Sequence, residues 1–419
     1  MKLMVVGGGA REHTLVWKLS LSKKVKQIYV APGNAGTAQI AVNLDISPTN
    51  LEALSKAAKD NKIELVVVGP EAPLAAGIVD KFQGLGIPTF GPTREAALIE
   101  SSKVFAKKLM HKYGIPCAKD AVFTSFREAE AYVKKQPIPV VIKADGLAAG
   151  KGAIVAQSQE EALQALSDIM EKRVFGDAGK QVLVEECLMG RETSLLAFTD
   201  GVTVVPMVTA RDYKRAYDHD QGPNTGGMGC YSPSKFLDKK AIDNTVKTIV
   251  GPVVKAMAQE GKPYKGVLYT GLMLTTEGPK VLEFNARFGD PETQVQLPLL
   301  KSDLVDIMLA VLEGRLARTK VEWSKGACVG VVMASGGYPG SYKQGFPITG
   351  LDNVAQDIII FHAGTKMDGG KVCTAGGRVL TVVATGKNTA EARQKVYLNL
   401  PRISFESYHY RKDIAAEEG

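Results

Sequence analysis

The chain has 419 residues, 45% of them apolar, with a formal net charge of +8 and a pI near 9.0. That length allows about three domains and a sizeable core. The basic residues are scattered among acidic ones with no arginine-rich tract, which excludes a nucleic-acid-binding face and leaves phosphorylated small substrates as the natural match for the excess charge.

The five cysteines, Cys117, Cys187, Cys230, Cys328 and Cys373, form no CxxC pair, and the five histidines show no metal-ligand spacing. This argues for a reducing compartment and against structural zinc. The opening MKLMVVGGG runs directly into a strand-and-turn pattern, and no apolar run approaches the ~18 residues of a membrane span. A cytoplasmic protein without membrane contact is expected.

Leu3–Val6 reads as a buried strand followed by Gly7-Gly8-Gly9 and a helical pattern through Leu15, Val16 and Leu19. A glycine loop before a helix either brings backbone N–H groups to a phosphate or is a plain turn. Glu12 stands where the third glycine of a dinucleotide fingerprint would be, and the second strand, Gln27–Val30, ends without the ribose-binding acid, so a nicotinamide site is not expected. His13 is either a ligand or simply a helix-start residue. Strands at Leu65–Val68 and Pro88–Phe90 alternate with helices at Leu51–Lys59 and Ile78–Leu85, a doubly wound α/β pattern. Gly69-Pro70-Glu71 falls at a strand's carboxyl end, where open sheets bind ligands. One helix is predicted from Arg94 through Lys103 to Tyr113.

Pro139–Lys143 and Ala153–Ala156 read as two strands joined by a glycine-rich loop holding Gly150 and Lys151. This suggests a flap over a polyphosphate; it is not a P-loop, because no helix opens after Lys151. After a helix at Gln159–Glu171, the strand Gln181–Leu188 carries Glu185, Glu186 and Leu188, whose backbone suits a purine edge, and Glu192 nearby suits ribose hydroxyls. From Arg211 to Gly229 the chain is polar and glycine-rich, too long and charged for a mere connector. A helix at Asp238–Glu260 and a hairpin, Gly266–Leu274 with Lys280–Phe288, follow.

The second hairpin strand opens the stretch VLEFNARFGDPET. Alternation puts Leu282, Phe284, Ala286 and Phe288 on one face and Glu283, Asn285 and Arg287 on the other. A carboxylate and an amide oxygen are hard ligands for Mg²⁺, and a guanidinium fork matches a carboxylate or phosphate. A helix at Ser302–Leu312 precedes a β-rich end with strands Cys328–Ala334, Ile358–Ala363 and Gly377–Ala384, then a helix Thr389–Asn399. The aromatic, polar tail Phe405–Ile414 is expected to pack back onto the body.

In order along the whole chain, GGGAREH, GPEAPL, VIKADGLAAGKG, DQGPNTGGMG, LEFNARFGDPETQ, TAGGRVL and YRKDI resemble the ATP-grasp superfamily, and within it the phosphoribosylamine glycine ligase family. The pair NTGGMG and EFNARFGDPETQ carries the specificity. Small departures occur: the family usually reads DHKR and DGD where this chain has Asp212-Tyr213-Lys214-Arg215 and Asp218-His219-Asp220, and Cys230 replaces a small residue.

The resemblance implies a doubly wound substrate domain (residues 1–100), an ATP-grasp domain (101–325) with a lid at about 120–190, and a β-rich domain (326–419). It implies ATP-dependent joining of glycine to 5-phosphoribosylamine through glycyl phosphate, with Mg²⁺ or Mn²⁺, in a monomer or small homo-oligomer. Glu283 and Asn285 would hold the metal; Lys103, Lys143 and Lys151 would add positive charge. Gly150, Glu185, Glu186, Leu188 and Glu192 would serve ATP, Arg287 the glycine carboxylate and Asp212 its ammonium group. Gly8, Gly9 and Glu71, with Asn224, Thr225 and Gly226, would serve substrate. The rivals are another superfamily member, such as a biotin carboxylase using bicarbonate, and a nucleotide-binding module without ligase chemistry.

Overall fold

The computed structural model describes residues 1–148 and 152–416. Lys2–Gly7, Gln27–Pro32, Val42–Asn43, Leu65–Val68 and Thr89–Phe90 form a parallel sheet with Lys2–Gly7 at its centre. Helices such as Ala10–Ser20 and Leu51–Asp60 supply the crossovers. The central strand is buried on both faces, as a parallel sheet covered by helices requires. The expected doubly wound unit is therefore present, and its carboxyl edge carries the glycine loop and Glu71.

The helix predicted from Arg94 to Tyr113 is two helices, Leu98–Ser101 and Lys103–Lys112. Ser102 is extended between them, and its side chain accepts the Phe105 N–H as an N-cap. Asp145 accepts the Val104 N–H at 3.1 Å and the Ser102 hydroxyl at 3.1 Å. A local serine cap and a distant carboxylate thus outcompete helix continuity and turn Lys103 toward the cleft.

The segment expected to form a lid contains a four-stranded antiparallel sheet ordered Asp120–Phe123, Val182–Glu186, Val140–Ala144, Ala153–Ala156. Its own core gathers Val140, Ile142, Ala162, Leu166, Ile169 and Val184. The second antiparallel sheet runs Val204–Pro206, Arg191–Asp200, Lys265–Thr275, Gly278–Asn285. The hairpin expectation holds, but the strand stops at Asn285 rather than Phe288, because the Ala286 N–H leaves the ladder to bond the Glu100 carboxylate at 2.6 Å. A register shift at Leu272 leaves Leu282 outside the ladder and only half-buried, while Phe284, Ala286 and Phe288 are buried as alternation predicts.

The third antiparallel sheet is where the sequence reading was least complete. Ala327–Ala334, Arg378–Gly386 and Ile358–His362 are joined by Gly229–Ser232 and Arg211–Asp212 from the polar segment, which is therefore strand-bearing rather than plain loop. The hairpin Thr365–Asp368 with Lys371–Thr374, closed by Gly369-Gly370, was also unforeseen. As expected, the tail packs back: Arg411 is 1% exposed and Ile414 wholly buried. Among the described residues no helix is long and apolar enough to cross a membrane.

Candidate functional site

The sheet carrying Val140–Ala144 and Val182–Glu186, the central antiparallel sheet and the polar segment converge on Glu283. Its carboxylate opens to the cleft on the strand Gly278–Asn285. Confinement in the cleft raises its pKa, but Lys214, Lys143, Lys103 and Arg287 together outweigh that and hold it below the ordinary carboxylate range. An ionised carboxylate two residues from the Asn285 amide oxygen is the donor set a hard divalent cation takes.

Each cation is held by specific neighbours. Lys103 Nζ donates to the Gly146 carbonyl at 3.0 Å, and desolvation lowers its pKa despite the Glu283 charge. Lys143 Nζ donates to Glu185 Oε2 at 2.8 Å and to the Leu282 carbonyl at 3.0 Å. Glu185 is buried, and its other oxygen lies 3.5 Å from Lys107 Nζ, so its carboxylate faces two lysines rather than the open cleft. Glu186 is tied to its sheet's edge, accepting the Lys119 N–H at 2.9 Å, and Leu188 follows in the half-buried coil after the strand. Glu192 is ion-paired with Lys214, whose pKa is raised: desolvation opposes the charge, and Glu192, Glu283 and Asp212 outweigh it. Gly150 and Lys151 lie outside the described residues.

Arg287 is already surrounded. Its Nε lies 2.8 Å from Glu71 and 3.3 Å from Glu100, and its two terminal nitrogens donate to the Phe288 carbonyl and, at 3.3 Å, to Asn285 Oδ1. The guanidinium thereby orients the amide that accompanies Glu283. Desolvation raises the Glu71 pKa, but Arg287 and Arg11 bring it below normal; for Glu100, fully enclosed, burial wins and the pKa is raised.

At the glycine loop the structure supplies the anion itself. Gly9 N–H donates to Glu12 Oε2 at 2.6 Å, and Glu12 also accepts from Arg11 Nε at 2.6 Å. A Cβ on Gly69 would fall 2.0 Å from Glu12 Oε1, and one on Gly7 2.5 Å from Glu12 Cγ. These glycines make room for a buried carboxylate at the helix N-terminus. Gly8 is held by Asn34, which donates to its carbonyl at 2.9 Å and to the His362 carbonyl at 2.7 Å.

Beside Lys214, Asp212 and Glu292 form a carboxyl pair. Burial first, and then each other's charge in the case of Asp212, pushes both pKa values up. Among the described residues, buried Asp212 Oδ1 has no hydrogen-bond partner. Thr225 donates its N–H to the Lys214 carbonyl at 2.7 Å, Gly226 accepts from Arg378 Nη1 at 2.6 Å, and Asn224 is exposed beside them.

Sequence reasoning missed Lys214, Glu292, Glu100 and Arg378 as site residues. Lys214 and Glu292 stand inside or beside quoted motifs, and Arg378 lies in TAGGRVL, so the signal was present for these three. Glu100 sits in a helical stretch with nothing local to distinguish it.

Three domain models of one family match consecutive parts of the chain: Phosphoribosylglycinamide synthetase N domain over residues 1–100, its ATP-grasp (A) domain over 101–293 and its C domain over 328–417. A phosphoribosylamine–glycine ligase of Caldanaerobacter subterraneus subsp. tengcongensis is 53% identical over 416 residues, covering 99% of this chain and 100% of that protein. The crystal structure of a phosphoribosylamine–glycine ligase from Thermotoga maritima superposes with a TM-score of 0.86 at 35% identity, covering 99% of this chain and 100% of that one. A biotin carboxylase from Campylobacter jejuni reaches a TM-score of 0.75 at 15% identity, covering 99% and 98%, which is a likeness of fold alone. Matched over residues 1–293 and 328–417, with more than half its residues shared along a full-length relative, the chain belongs to the phosphoribosylglycinamide synthetase family.

Proposed function

We propose that the cleft joins glycine to 5-phosphoribosylamine at the expense of ATP, giving glycinamide ribonucleotide, ADP and phosphate in purine biosynthesis. The observation that carries this reading is the convergence of Lys103, Lys143, Lys214 and Arg287 on one ionised carboxylate, Glu283, with Asp212 sharing Lys214. Hydroxide is too poor a leaving group for an amine to displace from a carboxylate. A glycine carboxylate oxygen therefore first attacks the γ-phosphorus and ADP leaves. The amine of phosphoribosylamine then attacks the acyl carbon, loses a proton, and phosphate departs.

Such a transfer needs positioning and charge neutralisation more than covalent help. Lys103 and Lys143 line the phosphate path, with Lys151 assigned to the same task. Glu283 and Asn285 would hold Mg²⁺ or Mn²⁺, which neutralises phosphate charge when bound. Arg287 takes the glycine carboxylate. Asp212, beside Glu292, takes the ammonium group: a cation arriving there would return a destabilised carboxyl to its charged form. Backbone at Glu186–Leu188 receives adenine, with Glu185 locking Lys143, and Glu192 the ribose. Gly8, Gly9, Glu71 and the Asn224–Gly226 turn face phosphoribosylamine. The enzyme works as a monomer or a small homo-oligomer. Five free cysteines support a reducing, cytoplasmic setting.

The test is phosphate release from ATP with Mg²⁺, adding glycine and freshly generated phosphoribosylamine separately and together. Release that needs both substrates is expected. Turnover with bicarbonate in place of the pair would move the chain to carboxylase chemistry.

A further inference from the structure

The polar segment that brings Asp212 and Lys214 to the cleft is fastened from behind by the C-terminal tail. Arg411 is 1% exposed. Its Nε and Nη2 make a bidentate pair with Asp413 at 2.8 and 2.6 Å. Its Nη1 reaches Asp220 Oδ1 at 2.7 Å and the Arg215 carbonyl at 3.1 Å, and the guanidinium lies 5.0 Å from the centre of the Tyr213 ring.

The tail backbone adds to this. Lys412 N–H donates to Asp218 Oδ1 at 2.7 Å, Asp413 Oδ2 accepts the His219 N–H at 2.8 Å, and Ala415 N–H donates to the Tyr213 hydroxyl at 3.1 Å.

Two features show that this clamp opposes a real tendency to relax. His219 and Asp220 both have left-handed backbone, with φ of 58° and 53°. Consecutive non-glycine residues rarely hold that conformation unless surrounding contacts enforce it. The second feature is placement. Tyr213 separates Asp212 from Lys214, so a ring held by Arg411 and Ala415 fixes the backbone of both neighbours. Lys214 then passes the constraint on, its carbonyl accepting the Thr225 N–H at 2.7 Å and hydroxyl at 2.9 Å.

We propose that Arg411 is a positioning residue for the ligation. Its bidentate fork and its stack on Tyr213 hold residues 211–220 so that Asp212 meets the glycine ammonium group. This rests on the assignment of Asp212 given above. Lysine keeps the charge but loses the fork and the flat stacking surface. Arg411→Lys should therefore loosen the segment without leaving an unpaired charge, and Asp220→Asn, at an exposed carboxylate, weakens the same clamp with little risk to folding.

The experiment measures steady-state constants and amide hydrogen exchange on the full chain for wild type and both variants. A misplacement of this kind should raise KM for glycine about tenfold while KM for ATP stays within about twofold. Amides of 211–225 should exchange about tenfold faster, with those of the strand Ala327–Ala334 unchanged. A merely structural role would lower the active fraction, reducing kcat with both KM values intact, and that result overturns the proposal. So does unaltered exchange in 211–225. If wild type itself shows no glycine-dependent phosphate release, the ligase reading fails, and the exchange data still decide whether the clamp exists.

Discussion

Replacing Arg287 by alanine removes the cation between two carboxylates of unequal exposure. The Glu100 side chain is 8% exposed and that of Glu71 29%. Breaking a buried ion pair from one side costs about 3–5 kcal/mol, because the remaining charge is left without compensation. Glu100 should account for most of that, and the more hydrated Glu71 for less than ~1 kcal/mol. We therefore expect about 3–4 kcal/mol of lost stability at neutral pH.

The pH dependence has a definite sign. The Glu100 pKa is already raised by burial despite the Arg287 charge, and losing that charge raises it further. A carboxyl whose folded pKa exceeds its unfolded value binds more protons when folded, so stability falls as pH rises from the unfolded value through the folded one. The deficit of Arg287→Ala should accordingly shrink on acidification from pH ~8 toward ~5. Urea unfolding at those two pH values measures it, and phosphate release should fall by about 10²- to 10³-fold alongside. A variant equally stable at both pH values, or one with wild-type turnover, would refute the reasoning.

Glu283→Gln keeps the shape of the cleft but removes the charge on which four cations converge, so turnover should fall at least ~10²-fold and the melting temperature should drop modestly, because a carboxylate held below its ordinary pKa stabilises the folded state; a half-active variant would remove Glu283 from the metal-binding assignment. Gly227 has φ of +112°, and a Cβ there would sit 2.4 Å from Pro291 Cδ and 2.6 Å from Asp212 Oδ1. Gly227→Ala should therefore displace Asp212 and raise KM for glycine, and unchanged glycine kinetics would show that the acid does not contact glycine. His13 and His362 meet where the first and third sheets join, His13 Nδ1 accepting the His362 N–H at 2.9 Å. Burial, with the charge of His362 adding to it, lowers the His13 pKa to about 3, and burial lowers that of His362 to about 4. The unfolded chain thus binds more protons between those values and ~6.5, so stability should fall by up to ~1.4 kcal/mol per pH unit per histidine on acidification through that window. His13→Asn should flatten the slope, and an unchanged slope would show that His13 does not titrate on unfolding.

Much of this molecule is legible locally. The strand Leu65–Val68 and the helix Thr389–Asn399 lie where the pattern puts them, because a short apolar run between polar turns and an asparagine cap act within a few residues. The alternation in LEFNARF likewise separates core from chemistry, since neighbouring side chains in a strand must face opposite ways. What could not be read there is which distant group completes each local choice. Glu100 ends the strand at Asn285, Asp145 helps break the helix at Ser102, Glu12 fills the glycine cradle, and Arg411 reaches back across almost two hundred positions to Asp220. Period, caps and motif order are properties of adjacent residues, so the sequence by itself determined most of the elements, their order and most donor types of the cleft. It did not determine the short strands Arg211–Asp212 and Gly229–Ser232, which join a sheet through the distant Ala327–Ala334, or the hairpin strand Thr365–Asp368. The pairing of buried charges depends on which segments fold against one another, and only the tertiary structure decided that Arg287 answers to Glu71 and Glu100 while Asp212 is set beside Glu292 and Lys214.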